Sequence, residues 1–146
     1  MSASRIETLL ARVATVLQSA GTGATVERRR VDAFDSGDLP VIEIMRGDAG
    51  SEPFGDKANL WRPNVQLALM VADGSMSETQ IDALWCAVDT ALHADADLAA
   101  MGRGLRCTST SEPEQVAMTS GVAARMTCSY EFQLLTRRGD LSRAMT

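Results

Sequence analysis

Between Val122 and Leu134 the chain alternates without a break. Val122, Ala124, Met126, Cys128, Tyr130, Phe132 and Leu134 fall on one side of an extended backbone. Ala123, Arg125, Thr127, Ser129, Glu131 and Gln133 fall on the other. Successive side chains of a strand point to opposite faces, so this period of two defines one long strand with a buried and a wet face. Strands usually run ~5–6 residues, and this one is far longer. It stops at Thr136-Arg137-Arg138-Gly139-Asp140. No catalytic motif accompanies it, so the sequence speaks first of architecture.

A chain of 146 residues fits one domain, 1–146, with a sizeable core. Its 45% apolar and 23% charged residues are those of a soluble globular protein. The net charge of −5 argues against a general nucleic-acid binder, which is more often basic. It suits a surface past which DNA slides without sticking. No apolar run approaches the ~18–20 residues that span a bilayer, so no membrane role is expected. Glu7 and Arg12 interrupt the N-terminal segment where a signal peptide would be continuously apolar, so the expected site of synthesis is the cytoplasm. Cys86, Cys107 and Cys128 are widely spaced and form no C-x-x-C, which points to buried free thiols rather than a zinc or redox motif.

Ile6, Leu9, Leu10, Val13 and Leu17 make one face of a helix over about Ala3 to Ala20, capped by Ser4 or Ser2 and ended by Gly21. Thr25 to Val31 reads as a strand. Leu39-Pro40 opens another, Val41 to Met45, apolar on both faces and so central. Gly47 to Leu60, rich in Gly, Pro, Asp and Glu, reads as a long flexible loop, 47–60, well beyond the usual ~4–6 residues. A strand from Asn64 to Ala72 follows. Ser77-Glu78-Thr79-Gln80 has the form of a capping box opening a second helix with Ile81, Leu84, Trp85, Val88 and Leu92 on one stripe. Asp95 to Gly104 reads as a turn region, Leu105 to Thr110 as a strand, Ser111 to Gly121 as a polar connection, and 137–146 as a frayed tail. The order helix, three strands, helix, two strands defines an α+β fold: a mixed, largely antiparallel β-sheet of about five strands flanked by two main helices.

Candidate chemistry is sparse. His93, the one histidine, stands near a helix end, where a cation is favoured by the helix dipole, and no G-x-S-x-G supplies a nucleophile for it. Asp95 and Asp97 lack the further ligands of a metal site and read as a solvated turn. Gly21-Thr22-Gly23 and Gly102-Arg103-Gly104 lack the strand–loop–helix setting of a phosphate cradle. No catalytic residue, cofactor or metal is expected. Arg28, Arg29 and Arg30 read as a solvated strand face or as a contact to an acidic neighbour, since the planar guanidinium suits carboxylates. Trp61 either closes the core at a strand start or belongs to an interface. Trp85 reads as core.

The layout as a whole resembles the tail terminator family of long-tailed bacteriophages, also described as minor tail or tail completion proteins. The residues that carry the resemblance are the helix Ile6–Leu17, the run Asp38-Leu39-Pro40-Val41-Ile42-Glu43-Ile44, the strand Val65–Val71, and the helix Ile81–Leu92 with Asp97-Leu98. Tyr130-Glu131-Phe132 and Gly139-Asp140-Leu141 complete it. The resemblance is one of order and spacing, spread over nearly the whole chain. It implies a virion protein at the head-proximal end of the tail: a homo-oligomeric ring, six-fold, that caps the tail tube and stops its polymerisation. Such a ring meets the tail tube protein on one side and the head–tail connector protein on the other, and DNA passes through it without specific binding. A ring needs two different complementary patches per subunit. The arginine triplet Arg28, Arg29 and Arg30 and the acidic residues Asp48, Glu52 and Asp56, with Trp61, are the expected interface. Double charge reversal that restores assembly lost in the single reversals is the test of that pairing.

Two other readings stay open. One is a different assembly role, as a head–tail connector or neck protein or a tail tube protein. The other is a small ligand-binding domain or enzyme, which requires a concave cleft with converging polar groups.

Overall fold

The first helix forms because its apolar residues recur on one side and its start is capped. In the computed structural model, which describes residues 3–28, 34 and 36–144, α1 spans Arg5–Ser19, and the Ser4 side chain accepts from the Glu7 N–H at 3.1 Å. Gly21 follows at φ +67°, the left-handed region that glycine enters without a steric penalty. Leu9, Leu10, Val13 and Leu17 are fully or almost fully buried. Each leucine so buried contributes roughly 1.5–3 kcal/mol.

Among the described residues seven strands form one mixed sheet: β1 (Thr25–Arg28), β2 (Val41–Phe54), β3 (Ala58–Ala72), β4 (Arg103–Thr110), β5 (Glu114–Met118), β6 (Gly121–Arg137) and β7 (Asp140–Ala144). The main order is β1-β2-β3-β6-β4. β1 runs parallel to β2 and the other pairs are antiparallel. β6 is the axis of the sheet. One of its edges pairs β3 from Ala123 to Arg137. Its other edge is shared in turn by β5 at 121–125, β4 at 128–133 and β7 at 136–137. One very long strand thus serves three short ones, so its alternation extends past all of them.

α2 (Ser77–Ala94) and α3 (Ala96–Met101) join α1 in covering one face of the sheet. Ile42, Ile44, Val65, Leu67, Leu69, Met126, Cys128, Tyr130, Phe132 and Leu134 meet the helices there. Over most of its length the opposite face carries half-buried residues such as Glu43, Gln66, Thr127, Ser129 and Glu131. Among the described residues, a second apolar cluster forms at one corner, from Phe34, Val41 and Met70 with Leu39 and Met118 against it.

Several expectations change. The connection expected between Ser111 and Gly121 contains β5, and the tail expected to fray contains β7, paired back on β6. The free edge of β6 at 121–125 and at 136–137 holds these short strands, which composition does not announce. The turn expected over Asp95–Gly104 contains α3, because the Asp95 side chain accepts from the Leu98 N–H at 2.9 Å and Leu98 is buried. The capping box does not form. Met76 is the N-cap of α2, and Ser77, one position too late, donates its hydroxyl to the Gly74 carbonyl at 2.9 Å. The strand expected over Thr25–Val31 is present to Arg28; residues 29–31 lie outside the described residues.

Candidate subunit interface

The segment expected to be a loop, 47–60, is instead the outer part of a β2–β3 hairpin. Pairing continues past a register shift between Arg46 and Ala49 and runs to Phe54 opposite Ala58. Glycine and proline mislead here because β2 needs to pair on one side only. Among the described residues, its outer edge meets β1 no further than Ile44. Pro53 is tolerated on such an edge, where no donor is needed. β3, by contrast, is held by β6 as far as Arg137, which keeps the hairpin in the sheet plane. The usable sequence signal was the near-equal flanks on either side of Gly55-Asp56.

The shift has a local cause. A Cβ on Gly47 would stand 3.0 Å from the Asn64 carbonyl oxygen and 3.1 Å from its Cβ, so a larger residue fits only if β3 gives by a few tenths of an ångström. At the far end, Gly55 takes φ +69° and closes the turn. Arg138 braces it: its backbone N–H donates to the Lys57 carbonyl at 2.8 Å and its guanidinium to the Gly55 carbonyl at 3.1 Å. The turn therefore presents Phe54, 56% exposed, on a fixed backbone.

The expected interface residues separate. Asp48, Glu52 and Asp56 are exposed along the hairpin, but Glu52 takes the Arg62 guanidinium at 2.9 Å. Lys57, Arg137 and Arg138 flank Asp56, so this end of the molecule is not acidic. Arg28 donates both terminal nitrogens to Glu7, at 2.9 and 3.2 Å, tying β1 to α1. That hydrogen bond holds the Glu7 carboxyl below its ordinary range. Arg29 and Arg30 lie outside the described residues. Trp61 packs half-buried against the core at the base of the hairpin, and its Nε1 donates to the buried Thr136 hydroxyl at 3.2 Å.

The opposite end of the sheet, where β3 passes to α2, carries Asp73, Glu78, Asp82, Glu112 and Glu114. A cavity of about 350 Å³ opens there, lined by Leu39, Pro40, Val71, Ala72 and Gln80. Asp38 adjoins Leu39 and Asp73 adjoins Ala72. Cations outnumber carboxylates at the hairpin turn, Lys57, Arg137 and Arg138 against Asp56 and Asp140, and carboxylates outnumber cations at the other end, where Arg125 faces Glu114 across the β5–β6 pair.

A chain of hydrogen bonds joins α2 to the middle of β6. The Trp85 Nε1 donates to the Tyr130 hydroxyl at 3.1 Å, and the hydroxyl donates to Asp89 Oδ1 at 2.8 Å. Trp85 is half-buried and packs against the core. His93 is one turn further on, its Nδ1 2.9 Å from the Asp89 carbonyl oxygen. It borders a cleft of about 400 Å³ with Leu92, Leu98, Arg103 and Leu105. Asp95, expected in a solvated turn, takes Arg12 through two nitrogens at 3.0 and 2.7 Å and so locks α1 to the α2–α3 junction. Among the described residues, no three His, Cys, Asp or Glu side chains gather as a metal site requires. Among them too, no helix is long and apolar enough to cross a membrane. No known protein family matches the chain. No curated protein matches it either.

Proposed function

We propose that this chain is a structural assembly protein of a long-tailed phage or phage-derived particle. It forms a homo-oligomeric ring, a hexamer, that caps the tail tube, ends its polymerisation and offers a surface to the head–tail connector. In this reading it acts without catalysis or cofactor, belongs to the head-proximal end of the tail in the virion, and lets DNA pass without binding it specifically. The observation that supports the reading best is the braced β2–β3 hairpin with its exposed Phe54, set on a sheet whose two ends differ in charge. A closed ring of identical subunits needs two unlike surfaces on each copy, and a rigid projecting turn together with an oppositely charged far end provides them.

Electron microscopy of particles made after disruption of this gene tests the reading. Tails of uncontrolled length without heads are the expected outcome. Tails of normal length beside separate filled heads would move the role to head–tail joining. Ordinary infectious particles would overturn both.

A further inference from the structure

We infer that the β2–β3 turn of one copy docks into the Leu39–Pro40–Val71–Ala72 cavity of a second copy, with Phe54 as the inserted side chain. The inference rests on the reading of this chain as a self-assembling protein and names the contact it would use. Three observations carry it. Phe54 is 56% exposed on a turn whose backbone Arg138 fixes, so little ordering is needed before binding. An aromatic side chain held in this way is the typical anchor of a protein interface. The cavity, about 350 Å³, is lined by Leu39, Pro40, Val71 and Ala72 with Gln80 as its polar wall, and has room for one aromatic ring.

Charge supplies the direction. Lys57, Arg137 and Arg138 lie at the turn against Asp56 and Asp140, a net positive charge, whereas Asp38 and Asp73 directly adjoin the cavity-lining Leu39 and Ala72. Two hairpin turns therefore repel each other, as do two cavities, and a turn facing a cavity attracts. Geometry supplies the consequence. The turn lies where β3 pairs with Arg137 and the cavity where β3 ends at Ala72, so they occupy opposite ends of the same strand. A contact between opposite ends is heterologous, and repetition closes it into a ring when the rotation allows. The cavity beside His93 is a weaker candidate for the same turn, because Arg103 on its border meets the basic turn with like charge.

The test uses two variants of the full chain, each altered on one surface at an exposed position. Phe54→Ala removes the anchor and leaves the cavity intact. Ala72→Arg fills the cavity and leaves the turn intact. Sedimentation velocity should show the wild-type protein associating reversibly, less so as salt rises. Either variant alone should weaken association about tenfold or more. An equal mixture of the two has one good turn and one good cavity, and should stop at a dimer. Matching far-ultraviolet circular dichroism and melting curves establish that both variants fold. Lys57→Glu with Asp73→Lys, each weakening and the pair restoring association, gives the same answer without touching the apolar groups. A wild-type protein that stays monomeric to about 1 mM overturns the inference, as do variants that associate normally or a mixture that stays monomeric. A cavity that instead takes a basic–aromatic segment of another protein, with no self-association, overturns it as well. Failure here leaves the particle morphology to decide the proposed function. Ordinary particles combined with self-association through these residues would overturn the function and leave the contact standing.

Discussion

The Tyr130 hydroxyl donates to the Asp89 carboxylate at 2.8 Å, joining the middle of β6 to α2. The same hydroxyl accepts from Trp85, so one oxygen at the centre of the sheet satisfies two groups on the helix. Burial, and then Asp89, push the phenol far above its ordinary range, so it stays protonated as a donor. Tyr130→Phe keeps the ring in the core and removes the oxygen. The Trp85 N–H and Asp89 then lose their shared partner, a loss of about 1–3 kcal/mol. Urea unfolding should show the midpoint falling with an unchanged slope. An unchanged midpoint would mean that water replaces the hydroxyl without loss.

Arg12 and Asp95 fix α1 against the α2–α3 junction, and the same carboxylate caps α3. The Arg12 hydrogen bond, aided by the Leu98 N–H, lowers the Asp95 pKa below the ordinary carboxylate value. A carboxyl whose folded pKa is depressed stabilises the fold above its unfolded pKa and loses that effect as pH falls through the folded value. Asp95→Asn retains a capping oxygen but not the charge. Wild type should therefore exceed Asp95→Asn in stability at neutral pH. The difference should shrink as pH falls below about 4, where free carboxyls protonate. Parallel melting curves between pH 7 and pH 3 measure it. A difference that stays constant with pH would assign the loss to capping geometry alone.

The three thiols differ in environment. Cys86 is exposed on α2, Cys107 is half-buried on β4, and Cys128 is buried in the core of β6. Burial raises the Cys107 pKa and pushes Cys128 up to about 12. Since the thiolate is the reactive form, a thiol reagent at pH 8 should label Cys86 quickly, Cys107 slowly and Cys128 only after denaturant is added. Mass spectrometry of the labelled peptides gives the order. Early labelling of Cys128 would show that β6 opens locally in the native protein.

The legible parts of the fold were those where one period governs a whole segment. α1 follows its apolar stripe, and β6 follows its alternation because a single layer of helices covers one face. The hairpin was not legible, because an edge strand tolerates Gly47, Gly50 and Pro53 and its pairing comes from β3 rather than from its own composition. β5 and β7 were hidden for a related reason: the exposed length of β6 organises them, not their own apolar content. Two residues of the interface expected between subunits, Arg28 and Glu52, already have a partner within the chain. Glu7 and Arg62 are far from Arg28 and Glu52 in sequence or on another strand, and they take these charges first. Phe54 stood inside a segment read as a loop, so its exposure on a rigid turn carried no weight until the pairing was known.

That rigidity depends on the close approach at the register shift, which gives the last prediction. A methyl group on Gly47 would press on the Asn64 carbonyl in β3, a backbone atom held on its far side by β6. The strand cannot yield as a flexible side chain would, so Gly47→Ala should destabilise the protein by about 1–2 kcal/mol. Gly50 supplies the control: it has open space where its Cβ would be, and Gly50→Ala should be neutral or stabilising by about 0.4–1 kcal/mol through lost freedom of the unfolded chain. Hydrogen exchange localises the effect. In Gly47→Ala, amides at 58–62 that pair β3 to the hairpin should exchange faster while those of Leu67 and Leu69 hold. Equal protection in both variants would show that the bulge accommodates a side chain and that the hairpin is held by Arg138 alone.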